Sequence, residues 1–176
     1  KGIFHIVHGM CEYIARYDHI FAFLAEKGYV CCGYDNLGHG ETAKSKDELG
    51  FIAHRNGWKY LVNDVKAFED AVKKMFPDKP LYLMGHSMGS FISRIAAENY
   101  GDGIEKFIIC GTGGPNAAAP FGLLLTDIMQ LFFGEKHRSR LINNIAFGAY
   151  NKRFEGESEY DWVTSDREVT AKYAAD

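Results

Sequence analysis

Gly85-His86-Ser87-Met88-Gly89 is the stretch that decides the fold, and it matches the pattern G-x-S-x-G. The apolar run Leu81 to Met84 precedes it, and a helical periodicity that begins near Phe91 follows it. A serine on a sharp strand-to-helix turn has its hydroxyl lifted clear of the sheet. The glycines suit such a turn because side chains there would collide with the neighbouring strand and helix. The context predicts a nucleophile elbow with Ser87 as the catalytic residue; the alternative is an ordinary tight turn.

Four short apolar runs, each ending beside a glycine or an aspartate, indicate strands. They are Ile3 to His8, Tyr29 to Tyr34, Leu81 to Met84 and Phe107 to Cys110. Nearly continuous apolar runs of this length are typical of strands that are buried on both faces. We therefore expect these strands to form the centre of the molecule.

Three helical periodicities lie between or beside these strands. Their apolar positions are Tyr17, Phe21 and Leu24; then Trp58, Leu61, Val65, Phe68, Val72 and Met75; then Phe91, Ile92, Ile95 and Ala96. Gly28, Pro77 and Gly101 follow the three patterns and predict where the helices end. The alternation of strand and helix predicts right-handed βαβ units, which give a parallel sheet with helices on both faces.

The composition changes after Gly113, which divides the chain into residues 1–113, the core, and residues 114–176, a helical segment. Residues 112–120 are rich in Gly, Pro and Ala and indicate a linker. Residues 121–133 are apolar nearly all round, and the remainder is polar and favours helix. No strand is predicted after Cys110.

His8-Gly9-Met10 follows the first strand and suggests a second part of the site. An acyl-transfer enzyme needs two N–H donors aimed at the oxyanion of the tetrahedral intermediate. We predict that the backbone N–H groups of Met10 and Met88 are these donors. The His8 side chain is interpreted as a hydrogen-bonded supporting group rather than a base. The alternative is a plain turn with a structural histidine.

Asp35-Asn36-Leu37-Gly38-His39-Gly40 follows the second strand. Aspartate and histidine could indicate acid–base chemistry. A tight supporting loop is the favoured interpretation for Asp35, Gly38 and His39, because such loops use glycines for unusual backbone angles and polar side chains for backbone groups. His86 is likewise interpreted as a packing or hydrogen-bonding residue, since neighbours of the nucleophile point in other directions at such a turn.

The composition limits the partners. The net charge of −3 gives no basic surface for nucleic acid. The four cysteines have no spacing typical of a zinc site or of a disulfide framework, which favours a reducing compartment and a cytoplasmic location. Neither a metal nor an organic cofactor is expected. We find no apolar run long enough to predict a membrane-spanning helix, and the sequence does not predict the oligomeric state.

Together HGMCE (8–12), DNLGHG (35–40) and GHSMGS (85–90) resemble the monoacylglycerol lipase and lysophospholipase branch of the α/β-hydrolases, also called the serine aminopeptidase-like family. The order and spacing of the motifs agree, and Glu159-Tyr160-Asp161-Trp162 is similar to cap segments of bacterial members. The resemblance implies a three-layer α/β-hydrolase fold with a mostly parallel sheet, truncated here, and a helical cap from about residue 114. It also implies that Ser87 hydrolyses monoacylglycerols, lysophospholipids or related carboxylic esters.

In this fold a catalytic acid and then a histidine follow the nucleophile along the chain. His137 is the only histidine after Ser87, and its charged surroundings argue against a catalytic base. We therefore expect that neither the acid nor the base lies in this chain, that the strands usual before Ile3 are absent, and that the chain is a fragment, inactive alone. Two alternatives remain: peptidase, thioesterase or other acyl-transfer chemistry on the same fold, and a non-catalytic binding module with an incomplete triad.

The apolar stretch 121–133 has three interpretations. It suits an acyl-binding lid in the family's cap, it would equally suit a cap helix packed on the core, and it would allow transient shallow contact with a membrane.

Overall fold

The computed structural model describes residues 1–154, 158 and 160–175. Within these ranges the strands are β1 (Ile3–Val7), β2 (Val30–Gly33), β3 (Leu81–His86) and β4 (Ile104–Cys110). The α-helices are α1 (Asp18–Glu26), α2 (Gly57–Met75), α3 (Met88–Tyr100), α4 (Ala119–Phe133), α5 (Arg140–Phe147) and α6 (Arg167–Ala175). The four strands and the three helices between residues 1 and 113 are confirmed, and only their ends differ from the prediction.

The strands form one parallel sheet in the order β2-β1-β3-β4. Ile3 of β1 is in register with Val30 on one side and with Leu81 on the other. Because all four strands run in the same direction, their carboxyl ends lie at the same end of the sheet. The loops that follow β1, β2 and β3 therefore meet at that end, where ligands bind in open α/β sheets.

Side-chain alternation along β1 separates the two faces of the sheet. Ile3 and Val7 point to the face that α2 and α3 cover, where Val7 packs with Val65 and Ile92. On the other face, a short 3-10 turn precedes α1, and its Ile14 side chain lies against Gly33 of β2. Helices on both faces are the three-layer arrangement that the sequence predicts.

The prediction that every strand is buried on both faces is wrong for β4. Ile108 and Ile109 are 42% and 46% exposed. β4 is an edge strand, so within the described residues only β3 pairs with it, and its apolar side chains lack the cover that β1 receives. β2, at the opposite edge, is only half-buried along its length.

The chain divides into two compact units, Lys1–Pro115 and Asn116–Asp176. The first holds the sheet and all candidate site residues. In the second, helix α4 carries large exposed apolar side chains, among them Leu131 and Phe132. None of the helices in the described residues is long and apolar enough to cross a bilayer. Glu159 of the predicted cap motif and the terminal Asp176 lie outside the described residues.

Candidate active site

Ser87 lies on the turn between β3 and α3 with strained backbone angles. Its φ of 51° and ψ of −120° place a non-glycine residue at positive φ, a conformation that costs free energy and is enriched at functional sites. Two backbone hydrogen bonds hold the turn: the Ser87 N–H donates to the Cys110 carbonyl at 2.9 Å, and the Ser90 N–H donates to the Ser87 carbonyl at 2.9 Å. The geometry is that of a nucleophile elbow.

The two glycines of the motif allow the close packing around this turn. A Cβ at Gly85 would lie 2.7 Å from the Ser90 Cα and 2.8 Å from the Ser93 Oγ. A Cβ at Gly89 would overlap the carbonyl oxygens of Val7 and His8. Helix α3 therefore starts directly against the end of β1, at a distance that only glycine permits.

The turn that follows β1 packs on the candidate nucleophile. A Cβ at Gly9 would lie 3.0 Å from the Ser87 Cβ. Met10 is 44% exposed at the tip of the turn, and Cys11 has a positive φ of 57°. Met88 is the first residue of α3, so its N–H has no acceptor within the helix. The two predicted oxyanion donors thus belong to chain segments that both touch or adjoin Ser87.

His8 is fully buried, and both ring nitrogens have partners. Nδ1 lies 2.7 Å from the Gly9 carbonyl oxygen, and Nε2 lies 2.9 Å from the Asn36 backbone N. A carbonyl only accepts and a backbone N–H only donates, so the ring is neutral with its proton on Nδ1. Burial lowers the pKa of His8, which agrees with a neutral ring. With both nitrogens engaged, His8 is not available as a base toward Ser87.

The loop after β2 holds His8 in place through hydrogen bonds. Asn36 is fully buried, and its side-chain amide donates to the His8 carbonyl at 3.0 Å. The Asp35 carboxylate accepts backbone N–H groups from Ile14 at 2.7 Å and from Glu41 at 2.8 Å. These bonds tie the loop after β2 to the segment between β1 and α1.

The remaining predicted loop residues also make structural contacts. His39 Nδ1 donates to the Leu37 carbonyl at 3.0 Å, and its ring lies 5.5 Å from that of His8. The Gly38 carbonyl accepts from the Gly50 N–H at 2.7 Å. None of these contacts of His39 and Gly38 indicates a role in acid–base chemistry.

A partly buried polar network lies beside the elbow, and it includes His86, which was predicted to pack or to form hydrogen bonds, and Glu12, which was assigned no role from the sequence. Glu12 Oε1 accepts from the Gly9 N–H, from the Tyr17 hydroxyl at 3.0 Å and from His86 Nδ1 at 2.9 Å. Glu12 stands in the motif HGMCE, three residues after a glycine in a tight turn. A carboxylate in that position is a natural acceptor for the turn's N–H groups, and this is the signal that could have revealed it.

The charges of this network support one another. The hydrogen bond to Glu12 raises the pKa of His86 against the opposing effect of burial. Burial by itself would raise the pKa of Glu12, but the hydrogen bonds from His86 and the Gly9 N–H bring it below its usual range. Burial and Glu12 raise the pKa of Tyr17, so its hydroxyl keeps its proton and donates. The groups therefore favour a Glu12 carboxylate paired with a protonated His86.

Replacing His86 by glutamine in the natural polypeptide is expected to cost more stability at about pH 5.5 than at about pH 8.5. The raised folded-state pKa of His86 gives a stabilisation that is complete below its unfolded value, near 6.5, and is lost as the pH rises through the folded value. Urea unfolding of both proteins at the two pH values measures the difference. His19→Gln, at an exposed position of α1, controls for general effects of pH. An equal cost at both pH values would contradict the ion pair.

The described residues do not complete a catalytic triad. Among their hydrogen bonds, none joins the Ser87 hydroxyl to a histidine. His137 belongs to the second unit, where its ring stacks on Phe133 with centroids 4.8 Å apart. Across the same residues, no group of three or more His, Cys, Asp or Glu side chains could hold a metal ion.

A parallel sheet with helices on both faces and a strained serine between β3 and α3 define the α/β-hydrolase fold. A solved structure is similar: a thermostable carboxyl esterase from Bacillus coagulans, in complex with glycerol, superposes with a TM-score of 0.89 and 29% identity over 100% of this chain and 57% of that one. The family described as "Serine aminopeptidase, S33" matches residues 1–176, and the chain belongs to it.

Curated relatives are similar in sequence. Monoglyceride lipase of Mus musculus is 26% identical over 169 residues, which cover 94% of this chain and 52% of the relative. Monoacylglycerol lipase of Mycolicibacterium smegmatis is 22% identical over 176 residues, or 100% of this chain and 55% of the relative. The chain therefore spans about half the length of the curated relatives it matches.

Proposed function

We propose that the natural polypeptide containing this chain is a serine hydrolase that cleaves carboxylic esters of lipid type, such as monoacylglycerols or lysophospholipids. The observation that carries the proposal is the strained Ser87 with the Gly9-Met10 turn packed against its Cβ. The similarity to two monoacylglycerol-cleaving lipases and to a carboxyl esterase supports the choice of substrate.

In the proposed reaction the Ser87 oxygen attacks the ester carbonyl carbon while a base takes the hydroxyl proton. The carbonyl oxygen becomes an oxyanion, which the N–H groups of Met10 and Met88 stabilise. The carbon–oxygen bond to the alcohol breaks, the alcohol leaves with the proton, and the acyl group stays on Ser87. Water then releases the acid by the same steps. This chemistry needs no metal or organic cofactor.

The base and its carboxylate partner are proposed to lie outside residues 1–176. Both ring nitrogens of His8 are committed to neighbouring groups, and none of the hydrogen bonds among the described residues joins the Ser87 hydroxyl to a histidine. The length of the relatives, about twice that of the chain, fits this proposal. On its own the chain is then expected to be inactive.

We further propose a cytoplasmic location, transient contact with lipid and a small-molecule substrate. The thiols of Cys11 and Cys110 are free and exposed, which supports a reducing, cytoplasmic location. The exposed apolar residues of α4 support transient contact with lipid, as an acyl-binding lid or at a membrane surface. We propose that the substrate is a small ester or lipid. The net charge of −3 gives no basic surface for a nucleic acid.

A substrate panel tests the proposal and separates it from its rivals. The natural polypeptide is assayed on a monoacylglycerol, a lysophosphatidylcholine, an acyl thioester and an aminoacyl p-nitroanilide, with Ser87→Ala as control. We expect the highest kcat/KM on one of the two lipid esters and loss of that activity in the variant.

Each other outcome has a definite meaning. Preference for the anilide would favour a peptidase, in line with the name of the family. Preference for the thioester would favour a thioesterase. No turnover of any substrate, with retained biological activity of Ser87→Ala, would favour a non-catalytic binding module.

A further inference from the structure

The Gly9 backbone is fixed on both sides. Its N–H donates to Glu12 Oε1, and its carbonyl accepts from His8 Nδ1 at 2.7 Å. Gly9 is buried, and so is His8. Cys11 in the same turn has a positive φ of 57°, a strained conformation that persists only where surrounding contacts hold it.

These bonds determine where the Met10 N–H points. The Gly9 carbonyl and the Met10 N–H belong to one planar trans peptide group, so they point in opposite directions. The His8 bond fixes the direction of the carbonyl and thereby the direction of the N–H. The Glu12 bond fixes the peptide group before it, which leaves Gly9 little freedom to rotate.

Glu12 also connects this turn to the elbow. The same oxygen that accepts the Gly9 N–H accepts His86 Nδ1 at 2.9 Å, and His86 directly precedes Ser87. The Tyr17 hydroxyl donates to that oxygen at 3.0 Å and lies 3.0 Å from His86 Nδ1. One carboxylate oxygen thus joins the chain segment of Met10 to the chain segment of Met88.

We infer that Glu12 is a positioning residue that holds the two oxyanion donors, the Met10 and Met88 N–H groups, at a fixed separation. The inference rests on the proposed function. Glu12 touches no reacting atom; it acts through Gly9 and His86. Oxyanion donors contribute only when they are already aimed at the developing charge, so a looser turn would weaken binding of the transition state more than binding of the substrate.

The test uses Glu12→Ala and Glu12→Gln in the natural polypeptide. Turnover of p-nitrophenyl butyrate gives kcat and KM, and inhibition by a trifluoromethyl ketone, which forms a tetrahedral adduct with the serine, reports on the oxyanion donors. We expect Glu12→Ala to lower kcat about a hundredfold with KM changed less than about twofold. The affinity for the ketone should fall by the same factor as kcat. Glu12→Gln, which keeps an acceptor for the Gly9 N–H but loses the charge, should lose about tenfold.

Glu69→Gln is the matched control. Like Glu12, Glu69 is a carboxylate bonded to a histidine, His5, at 3.3 Å, but it is buried and lies on α2 away from the elbow. We expect this variant to lose stability and to keep the wild-type kcat and ketone affinity. If Glu12→Ala does not fold, Glu12→Gln decides the question.

A folded Glu12 variant with wild-type kcat and ketone affinity would overturn the inference and give Glu12 a structural role only. An equal loss of kcat in Glu69→Gln would overturn it as well, because the effect would then follow from general destabilisation. A wild-type protein without ester turnover, or a Ser87→Ala variant that keeps it, would instead refute the proposed function, and the inference would fall with it.

Discussion

Replacing Ser87 by alanine in the natural polypeptide is expected to lower kcat for a monoacylglycerol by about 10⁴- to 10⁶-fold. The change removes only the attacking oxygen, so the elbow, the Gly9 turn and the Glu12 network should stay in place. Serine and alanine both carry a Cβ, so alanine at the φ of 51° bears the same backbone strain as serine. The variant should therefore fold with nearly unchanged stability. Steady-state kinetics and urea unfolding measure the two quantities.

Ser93→Ala is the matched control for this prediction. Ser93 lies in α3, the helix that follows Ser87, is fully buried, and its hydroxyl has no hydrogen-bond partner among the described residues. Its removal should leave turnover at the wild-type level. If Ser87→Ala kept more than a small fraction of the activity, the nucleophile would have to be sought elsewhere.

Replacing Gly89 by alanine is expected to reduce the free energy of unfolding by about 3 kcal/mol or more. The new methyl group would overlap the carbonyl oxygens of Val7 and His8, which are backbone atoms at the end of β1 and cannot rotate away. Helix α3 would have to move off the sheet, and Ser87 would move with it. Urea unfolding should show the loss, and turnover should fall in the same variant.

Gly122→Ala separates this steric effect from the helix preference of alanine. Gly122 lies inside α4, where an added Cβ would meet open space, so alanine there should stabilise the helix by about 0.5–1 kcal/mol. The glycine-to-alanine exchange should therefore lower the free energy of unfolding in α3 and raise it in α4. A Gly89→Ala variant as stable as the wild type would mean that α3 does not start as close to β1 as described.

The core of the fold could be predicted because its signals are local. Gly28 does follow α1 with φ of 86°, Gly101 does end α3, and the strand ends differ by only a few residues. The exposure of β4 could not be predicted, because an apolar run such as Phe107 to Cys110 looks alike at the centre and at the edge of a sheet. Its environment depends on the strand order, which is a long-range property.

In the candidate site, too, the local features could be predicted and the long-range contacts could not. The elbow and the turn after β1 are contiguous motifs, so the sequence indicated both. The bonds between Glu12, Tyr17 and His86 join residues that are 5 and 69 to 74 positions apart in the chain. The parallel pairing of β1 with β3 brings the segments of Glu12 and His86 together, and the 3-10 turn before α1 adds Tyr17, which was predicted only as part of the apolar face of the first helix. The triad acid and base stay predictions, since no described contact tests them.

The most direct test of the central claim is to label the natural polypeptide with a fluorophosphonate and to locate the modified residue by mass spectrometry. The probe forms a stable bond only with an activated serine. We predict modification at Ser87, none in Ser87→Ala, and none in residues 1–176 expressed alone, where the base is proposed to be missing. Labelling at another serine, or no labelling of a protein that hydrolyses esters, would contradict the assignment of Ser87 as the nucleophile.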